Sequence, residues 1–181
     1  VYKSDKEDEA TEEISDEAKR NRGRNAYDLL RSWKQIPGVH EERKIDEEFL
    51  WNWITKVREL AEQSGRLKVA DIHIGNVLAE YPEEKEPWPP IEICKVIETI
   101  DTDSLKSGFS TATFSKRGFS TRGPFDGGDI ERGHAKYFQA QAEQIKYDFP
   151  VTANILKQLS IGYEQDAKSM DEMAERDELD S

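Results

Sequence analysis

Apolar residues recur at intervals of three and four along most of this chain, and proline or glycine interrupts the pattern at most of the breaks. The stretch after Asp46 shows this best, because a wide apolar stripe at helical spacing ends at Ser64-Gly65. The members of that stripe are Phe49, Leu50, Trp53, Val57, Leu60 and Ala61. Asp46 is a suitable N-cap, and we expect the stripe to face a core. The pattern predicts an all-α fold.

Seven helices follow from the same spacing, read together with the residues that begin and end helices. We place them after Asn25, after Asp46, over Ala70–Tyr81, over Pro90–Ile100, after Asp103 or Ser104, after Asp129 and from Pro150 onwards. The break at Phe149-Pro150 predicts that the last two form a long antiparallel hairpin. The fifth segment has an alternative, because the alternation in Phe109–Phe114 also fits a short β-hairpin within residues 109–121. We expect a bundle of six to seven helices.

The acidity of the chain is concentrated at its two ends. The 181 residues carry a net charge of −12. Residues 1–20 hold eight acidic and four basic residues, and residues 164–181 hold eight acidic and two basic ones. The middle is therefore nearly neutral, and repulsion from the ends is screened over about 8 Å at physiological salt. The chain begins at Val1, and we expect it to be part of a longer polypeptide.

These shifts in composition divide the chain into five regions. We expect an acidic tail over residues 1–23, a helical subdomain over 24–115, a basic, glycine-rich loop over 116–128, a helical hairpin over 129–175 and a second acidic tail over 176–181.

Residues 104–125 contain no acidic side chain, although the whole chain holds 38. This basic segment carries four cations, Lys106, Lys116, Arg117 and Arg122, together with four phenylalanines. Rings that stack on bases and cations that contact phosphates would suit a nucleic acid. Four charges make a small electrostatic footprint, however, and they would equally suit an acidic protein or the acidic ends of this chain. Of these, we favour contact with protein.

The glycine turn that follows, Gly123 to Asp129, leads into a predicted helix. The N–H groups of Gly123, Gly127 and Gly128 would suit a phosphate or carboxylate, with Arg122 closing over it. No Gly-Lys-Ser/Thr follows, so the turn is not a Walker sequence. The structural alternative is that the glycines provide unusual backbone angles while Asp129 caps the helix and repels an anion. We favour the structural interpretation.

The remaining polar residues form no catalytic or metal-binding pattern. His40, His73 and His134 are far apart in sequence and lack zinc-motif spacing, so we expect no metal, no cofactor and no catalytic residue. Cys94 is the single cysteine and lies beside Ile93, which indicates a small buried side chain rather than a nucleophile. No apolar run approaches the roughly 20 residues that span a bilayer. We expect a cytoplasmic protein that does not contact a membrane.

Two tryptophans are candidate anchors for a partner. Trp51 lies on the side of its helix away from Trp53, which belongs to the apolar stripe. Trp88 lies in a proline-rich loop over residues 82–90. An exposed Trp51 beside Trp88 would suit a protein interface. The alternative, which we favour, is that both side chains are covered within the fold.

Four segments resemble a known helical module: Ala26–Trp33, Ile74–Ala79, Arg122–Arg132 and Tyr163–Ala167. That module occurs at the C-terminal ends of long bacterial proteins of uncertain function. The resemblance covers most of residues 24–170 and implies a recurring part of larger proteins, among them proteins concerned with bacterial defence, with no catalytic role. Gly133-His134 departs from the pattern, because a strong helix former is expected there.

We therefore expect a non-catalytic helical module that docks on a protein partner or on the remainder of its own parent chain. The alternative function is binding of a nucleic acid or a phosphate ligand through the basic segment. An enzyme would require distant carboxylates or His134 to converge in a cavity, and it has the least support from the sequence.

Overall fold

The computed structural model describes residues 35–39, 44–83, 87–116 and 127–179, together with residues 17 and 21. These residues contain six helices: α1 (Glu47–Gln63), α2 (Leu67–Ala79), α3 (Ile91–Ile100), α4 (Asp103–Ser115), α5 (Asp129–Ile145) and α6 (Pro150–Leu179). The all-α prediction is confirmed for this part of the chain. The β-hairpin alternative is wrong for residues 109–115, because they lie within α4. Residues 117–121 and the helix predicted after Asn25 lie outside the described residues.

The ends of α1 are set by the residues that the sequence indicated. Asp46 Oδ1 accepts a hydrogen bond from the N–H of Phe49 at 3.0 Å, which satisfies a donor of the first turn. Gly65 follows the helix with a φ of +68°, a value that favours glycine. Both boundaries of α1 therefore follow from local chemistry.

A buried carboxylate ties α1 and α2 to the start of α4. Asp71 of α2 accepts hydrogen bonds from Arg58 Nε and from Thr102 Oγ1, each at 2.9 Å. Thr102 Oγ1 also accepts a hydrogen bond from the N–H of Leu105 at 3.3 Å, so Thr102 is the N-cap of α4. The prediction that Asp103 or Ser104 caps this helix is wrong, because both residues lie inside it. Because Asp71 is buried, these partners are needed to offset its desolvation.

Close contact between backbones joins α2 to α4. A Cβ added to Gly75 would overlap the carbonyl oxygen of Leu105, and a Cβ added to Gly108 would overlap the carbonyl oxygen of Ile72. Each helix therefore presents a glycine to the backbone of the other. The absence of side chains at these two positions allows the helices to pack more closely than larger residues would.

Aromatic rings join the helices that precede the glycine turn to the helices that follow it. Trp88, which lies between α2 and α3, is 5.7 Å from Phe109 of α4 and 5.9 Å from Phe138 of α5, measured between ring centres. Phe138 in turn stacks on Tyr163 of α6 at 5.6 Å. The expected helical subdomain and the α5–α6 pair thus share one continuous core.

The last two helices lie against each other in opposite directions. Ser160 Oγ of α6 donates a hydrogen bond to the carbonyl oxygen of Ala135 in α5 at 2.8 Å. Nearer the start of α5, Gly128 lies against Ala167. α6 extends to Leu179, so it includes the first residues of the region that we expected as an acidic tail.

Candidate functional site

Lys106, in the basic segment, is held by two carboxylates of its own chain. Its Nζ lies 2.9 Å from Asp101 Oδ1 and 3.2 Å from Asp103 Oδ1. Hydrogen bonds to these carboxylates raise the pKa of Lys106 above its ordinary value. This cation therefore already has anionic partners at the start of α4.

Lys116, at the end of α4, is also engaged within the fold. Its Nζ donates a hydrogen bond to the carbonyl oxygen of Tyr81 at 2.7 Å and lies 5.9 Å from the ring centre of Trp88. A cation over an indole face is stabilised by the ring quadrupole. The other predicted members of the site in this region, Arg117, Arg122 and Gly123, lie outside the described residues.

The end of the glycine turn is buried against the backbone of α6. A Cβ added to Gly128 would overlap the backbone of Ala167, and one added to Gly127 would lie 2.6 Å from Asp171 Oδ1. The N–H of Gly128, which is the N-cap of α5, donates a hydrogen bond to that same oxygen at 2.8 Å. Glycine is therefore required at position 128, because the backbone of α6 occupies the space that a side chain would fill, whereas a side chain at position 127 would meet only the carboxylate of Asp171.

Arg132 completes this contact from the first turn of α5. Its Nη1 lies 2.7 Å from Asp171 Oδ2, and its Nη2 lies 3.2 Å from Asp171 Oδ1. The hydrogen bonds from Arg132 and from the N–H of Gly128 hold the pKa of Asp171 below its usual range. The same carboxylate, together with Asp129, raises the pKa of Arg132. A bidentate guanidinium–carboxylate pair of this kind is both strong and geometrically specific.

Among the residues predicted for an anion site at the glycine turn, the N–H of Gly128 donates to the carboxylate of Asp171. Arg122 and Gly123 lie outside the described residues, so the predicted site for an external anion stays a prediction. The positive end of the α5 dipole and Arg132 both favour the negative charge of Asp171. The predicted cap is wrong: Asp129 is the first residue of α5, not its N-cap, and it pairs with Arg132 at 2.9 Å. Sequence reasoning missed Arg132 and Asp171 because 39 positions separate them.

A second helix N-terminus is bound by a carboxylate in the same way. Glu98 of α3 accepts hydrogen bonds from the N–H of Val151 at 3.1 Å and from the N–H of Thr152 at 2.8 Å. Thr152 Oγ1 donates a third at 2.9 Å. Both helices of the α5–α6 pair therefore begin at an acidic side chain supplied by another helix.

Trp88 is not available as a surface anchor. Its side chain is fully buried, and its Nε1 donates a hydrogen bond to the carbonyl oxygen of Tyr81 at 3.2 Å. Its backbone N–H donates to Gln141 Oε1 at 2.9 Å, which joins the proline-rich loop to α5. The interpretation that Trp88 is covered within the fold is the correct one. Trp51, the other candidate anchor, is half-buried and packs against the edge of the core.

The apolar stripe predicted for α1 is divided between the core and the surface. Leu50 faces the core as expected, and Ile54, which was not included in the stripe, is buried beside it. Phe49 and Leu60, by contrast, are 55% and 54% exposed. The expectation that the whole stripe faces inward is wrong for these two residues.

These exposed residues form a second apolar line on α1. Phe49, Trp53 and Leu60 stand at positions i, i+4 and i+11, with Lys56 at i+7, so they share one face over three turns, a length of about 17 Å. Trp53 is half-buried and packs against the core at one edge of this line. We refer to Phe49, Trp53, Lys56 and Leu60 as the α1 stripe.

A cavity of about 460 Å³ lies between the end of α2 and the last three helices. Its described walls are Glu80, Pro82, Glu83, Thr113, Lys116, His134, Phe138 and Tyr163. His134 stacks on Tyr163 with 5.1 Å between ring centres. Carboxylates and a histidine that are distant in sequence thus share one cavity, a convergence that the sequence could not reveal.

Other candidate chemistry is limited in the described part of the chain. Cys94 is buried, as predicted, and burial raises the pKa of its thiol to about 12, so it stays protonated at neutral pH. Burial lowers the pKa of His73.

Among the described residues, no three His, Cys, Asp or Glu side chains are placed to share a metal ion. Within those residues, no helix combines the length and apolarity that a membrane span needs.

No family model, curated protein or solved structure matches this chain. The resemblance to a bacterial C-terminal module therefore stays a prediction.

Proposed function

We propose that this chain is a non-catalytic helical module, part of a larger bacterial protein, that docks on a protein partner or on the remainder of its parent chain. The observation that carries the proposal is the α1 stripe. Phe49 and Leu60 are more than half exposed, whereas Leu50 on the same helix is fully buried. Large apolar side chains that line up on a surface are typical of interaction sites.

The contacts of the basic segment favour docking over the alternative function. Lys106 is paired with Asp101 and Asp103, and Lys116 is bonded to the Tyr81 carbonyl. A phosphate would have to displace these partners before it gained either charge. The two described cations of the basic segment therefore give less support to binding of a nucleic acid than the α1 stripe gives to binding of a polypeptide.

The proposal is tested with a photo-crosslinking amino acid at position 56, in the middle of the α1 stripe. It is introduced into the full-length polypeptide, which is expressed in the cells that naturally produce it. We expect a crosslink to a second polypeptide or to a distant part of the parent chain. The matched control is the same amino acid at Lys157, which is exposed on α6. A Phe49→Ser/Leu60→Ser double variant should remove the crosslink from Lys56, because it removes the apolar contact area.

The double variant must also fold for this comparison to be meaningful. Because Phe49 and Leu60 are largely exposed, we expect the substitutions to change the free energy of unfolding by about 1 kcal/mol or less. Thermal unfolding followed by circular dichroism checks this. Equal crosslinking from Lys56 and Lys157, or crosslinking from Lys56 that persists in the double variant, would contradict the proposal.

A further inference from the structure

Two glycines inside helices lie at the same level of the α5–α6 pair. The two helices run in opposite directions, and Gly128 of α5 lies against Ala167 of α6. Gly133 follows Gly128 by five residues, and Gly162 precedes Ala167 by five residues. The two glycines are therefore opposite each other.

A hydrogen bond further along the pair shows the same alignment. Ser160 Oγ donates to the carbonyl oxygen of Ala135 at 2.8 Å. Ala135 comes two residues after Gly133, and Ser160 comes two residues before Gly162. Contacts on both sides of the glycines thus give one alignment.

Packing among the described residues does not require either glycine. Apart from chain neighbours and the nearby backbone of its own helix, a Cβ added to Gly133 or to Gly162 meets no described heavy atom within 4 Å. At Gly75, Gly108 and Gly128, by contrast, an added Cβ would overlap the backbone of another helix. Glycine has more backbone freedom than alanine and weakens a helix locally. Both helices are therefore weakened at one level.

The α5–α6 pair is held by separate contacts on the two sides of this level. On the outer side, Asp171 binds the N–H of Gly128 and the guanidinium of Arg132, which joins α5 to α6. On the inner side, Glu98 of α3 binds the N–H of Thr152 and joins the pair to the rest of the fold. The glycines lie between these two sets of contacts.

Each of the two glycines is followed directly by a ring in the wall of the 460 Å³ cavity. Gly133 precedes His134 and Gly162 precedes Tyr163, and the two rings stack with 5.1 Å between their centres. Because Tyr163 is next to Gly162, a bend at the glycine moves Tyr163 little and leaves its ring in the core. The same bend would tilt the two rings and change the width of the cavity.

We infer that α5 and α6 bend together at Gly133 and Gly162, so that the outer end of the pair moves relative to the rest of the fold and changes the width of the cavity. The outer end comprises residues 127–132 and 163–179, which the ion pair within it holds together. Hinges are a few residues that absorb changes in backbone angles, and these residues are often small. The inference goes beyond the proposed docking function and does not depend on it, because neither glycine lies on α1.

Distances between spin labels test the inference in the full chain. One label is attached at Lys68→Cys on α2 and the other at Glu172→Cys, two exposed positions, while Cys94 is buried and does not take a label. Position 172 lies ten residues beyond Gly162, about 15 Å along the helix, so a bend of about 20° moves it by about 5 Å. Pulsed electron paramagnetic resonance should show a broad distribution of distances. The control pair, Lys68→Cys with Lys157→Cys, lies on the inner side and should give a narrow one.

Alanine substitutions locate the bend. Gly133→Ala/Gly162→Ala should narrow the distribution between positions 68 and 172 at least about twofold, because alanine stiffens both helices. The matched control is Asn154→Ala, which raises the helix propensity of α6 at an exposed position on the inner side and should leave the width unchanged. Circular dichroism checks that both variants are folded.

Chemical modification tests the effect on the cavity. The rate at which diethyl pyrocarbonate modifies His134, resolved by mass spectrometry, should fall in Gly133→Ala/Gly162→Ala, because the cavity then opens less often. His73 on α2 is half-buried and should keep its rate. An unchanged rate at His134 overturns the link between the bend and the cavity.

Three results from the spin labels overturn the inference. If the distribution for position 172 is as narrow as the one for position 157, the outer end does not move. If the double alanine variant keeps the full width, the bend lies elsewhere. If Asn154→Ala narrows the distribution as much as the double variant does, the general stability of the helix sets the width and the two glycines do not.

Discussion

At the scale of single residues, the described glycines differ in what surrounds them. A side chain at Gly128 would overlap the backbone of Ala167, so glycine is a packing requirement at this position. At Gly133 and Gly162, which lie inside α5 and α6, nothing stands within 4 Å of an added Cβ. A glycine inside a helix is less favourable than alanine by about 1 kcal/mol. Packing in the described structure therefore does not account for the glycine at either of these positions.

Alanine substitutions separate these two kinds of glycine. We expect Gly128→Ala to lower the free energy of unfolding by about 1–3 kcal/mol, because the new methyl group overlaps α6. Gly162→Ala is the matched control and should raise it by about 0.5–1 kcal/mol. Urea unfolding followed by circular dichroism measures both. If Gly128→Ala left the free energy of unfolding unchanged or raised it, α5 and α6 would be able to move apart at this position without a loss of stability.

At the scale of elements, the N-terminus of α5 and the N-terminus of α6 are each bound by an acidic side chain from a different helix. Asp171 binds the start of α5, and Glu98 binds the start of α6. A helix N-terminus leaves backbone N–H groups without partners and carries partial positive charge. These long-range contacts therefore fix how the last two helices meet each other and the rest of the fold.

The contact at Asp171 predicts a pH dependence of stability. Its pKa is lowered in the folded protein, so its contribution is fully present above the unfolded pKa of about 3.9 and is lost as the pH falls through the folded value. Asp171→Asn should lower the midpoint of urea unfolding at pH 7. The difference from the natural sequence should shrink as the pH falls below about 4 and through the lowered folded pKa, because the aspartate then becomes neutral.

Glu172→Gln is the control for this experiment. Glu172 is exposed and its nearest cation, Arg176, is 3.8 Å away, so its substitution should leave the midpoint nearly unchanged at each pH. If the effect of Asp171→Asn had the same size at pH 7 and pH 2, the charge of Asp171 would not contribute to the contact with Gly128 and Arg132.

At the scale of the whole molecule, one aromatic cluster connects helices from both sides of the glycine turn. Phe138 stands at its centre, between Trp88 and Tyr163. Trp88 also bonds to Tyr81 and to Gln141, so its loop is fixed to α5. Residues from α4, α5 and α6 therefore depend on the same buried contacts.

This shared core predicts a single unfolding transition. Phe138→Ala should lower the free energy of unfolding by about 3–5 kcal/mol, because it leaves a cavity among packed rings. Hydrogen exchange should show that protection falls together in α2 and α6. Phe49→Ala is the matched surface control and should have a much smaller effect. Loss of protection in α6 alone would indicate two separately folding units.

The helices could be predicted because the signals that define them are local. Asp46 caps α1 through a residue three positions away, and Pro150 begins α6 as expected. Predictions about the faces of helices were less accurate. The spacing on α1 indicated an apolar stripe but could not show that Phe49 and Leu60 lie beyond the edge of the core. Periodicity records which residues share a face, and neighbouring helices decide how much of that face is covered.

By itself, the sequence determined the all-α fold and a buried cysteine at Cys94, since capping, periodicity and composition act over short distances. Only the tertiary structure decided which groups meet. It placed Asp171 at the turn, buried Trp88 and left Phe49 and Leu60 exposed. These outcomes depend on residues that are tens of positions apart, and their contact is set by packing of the whole chain.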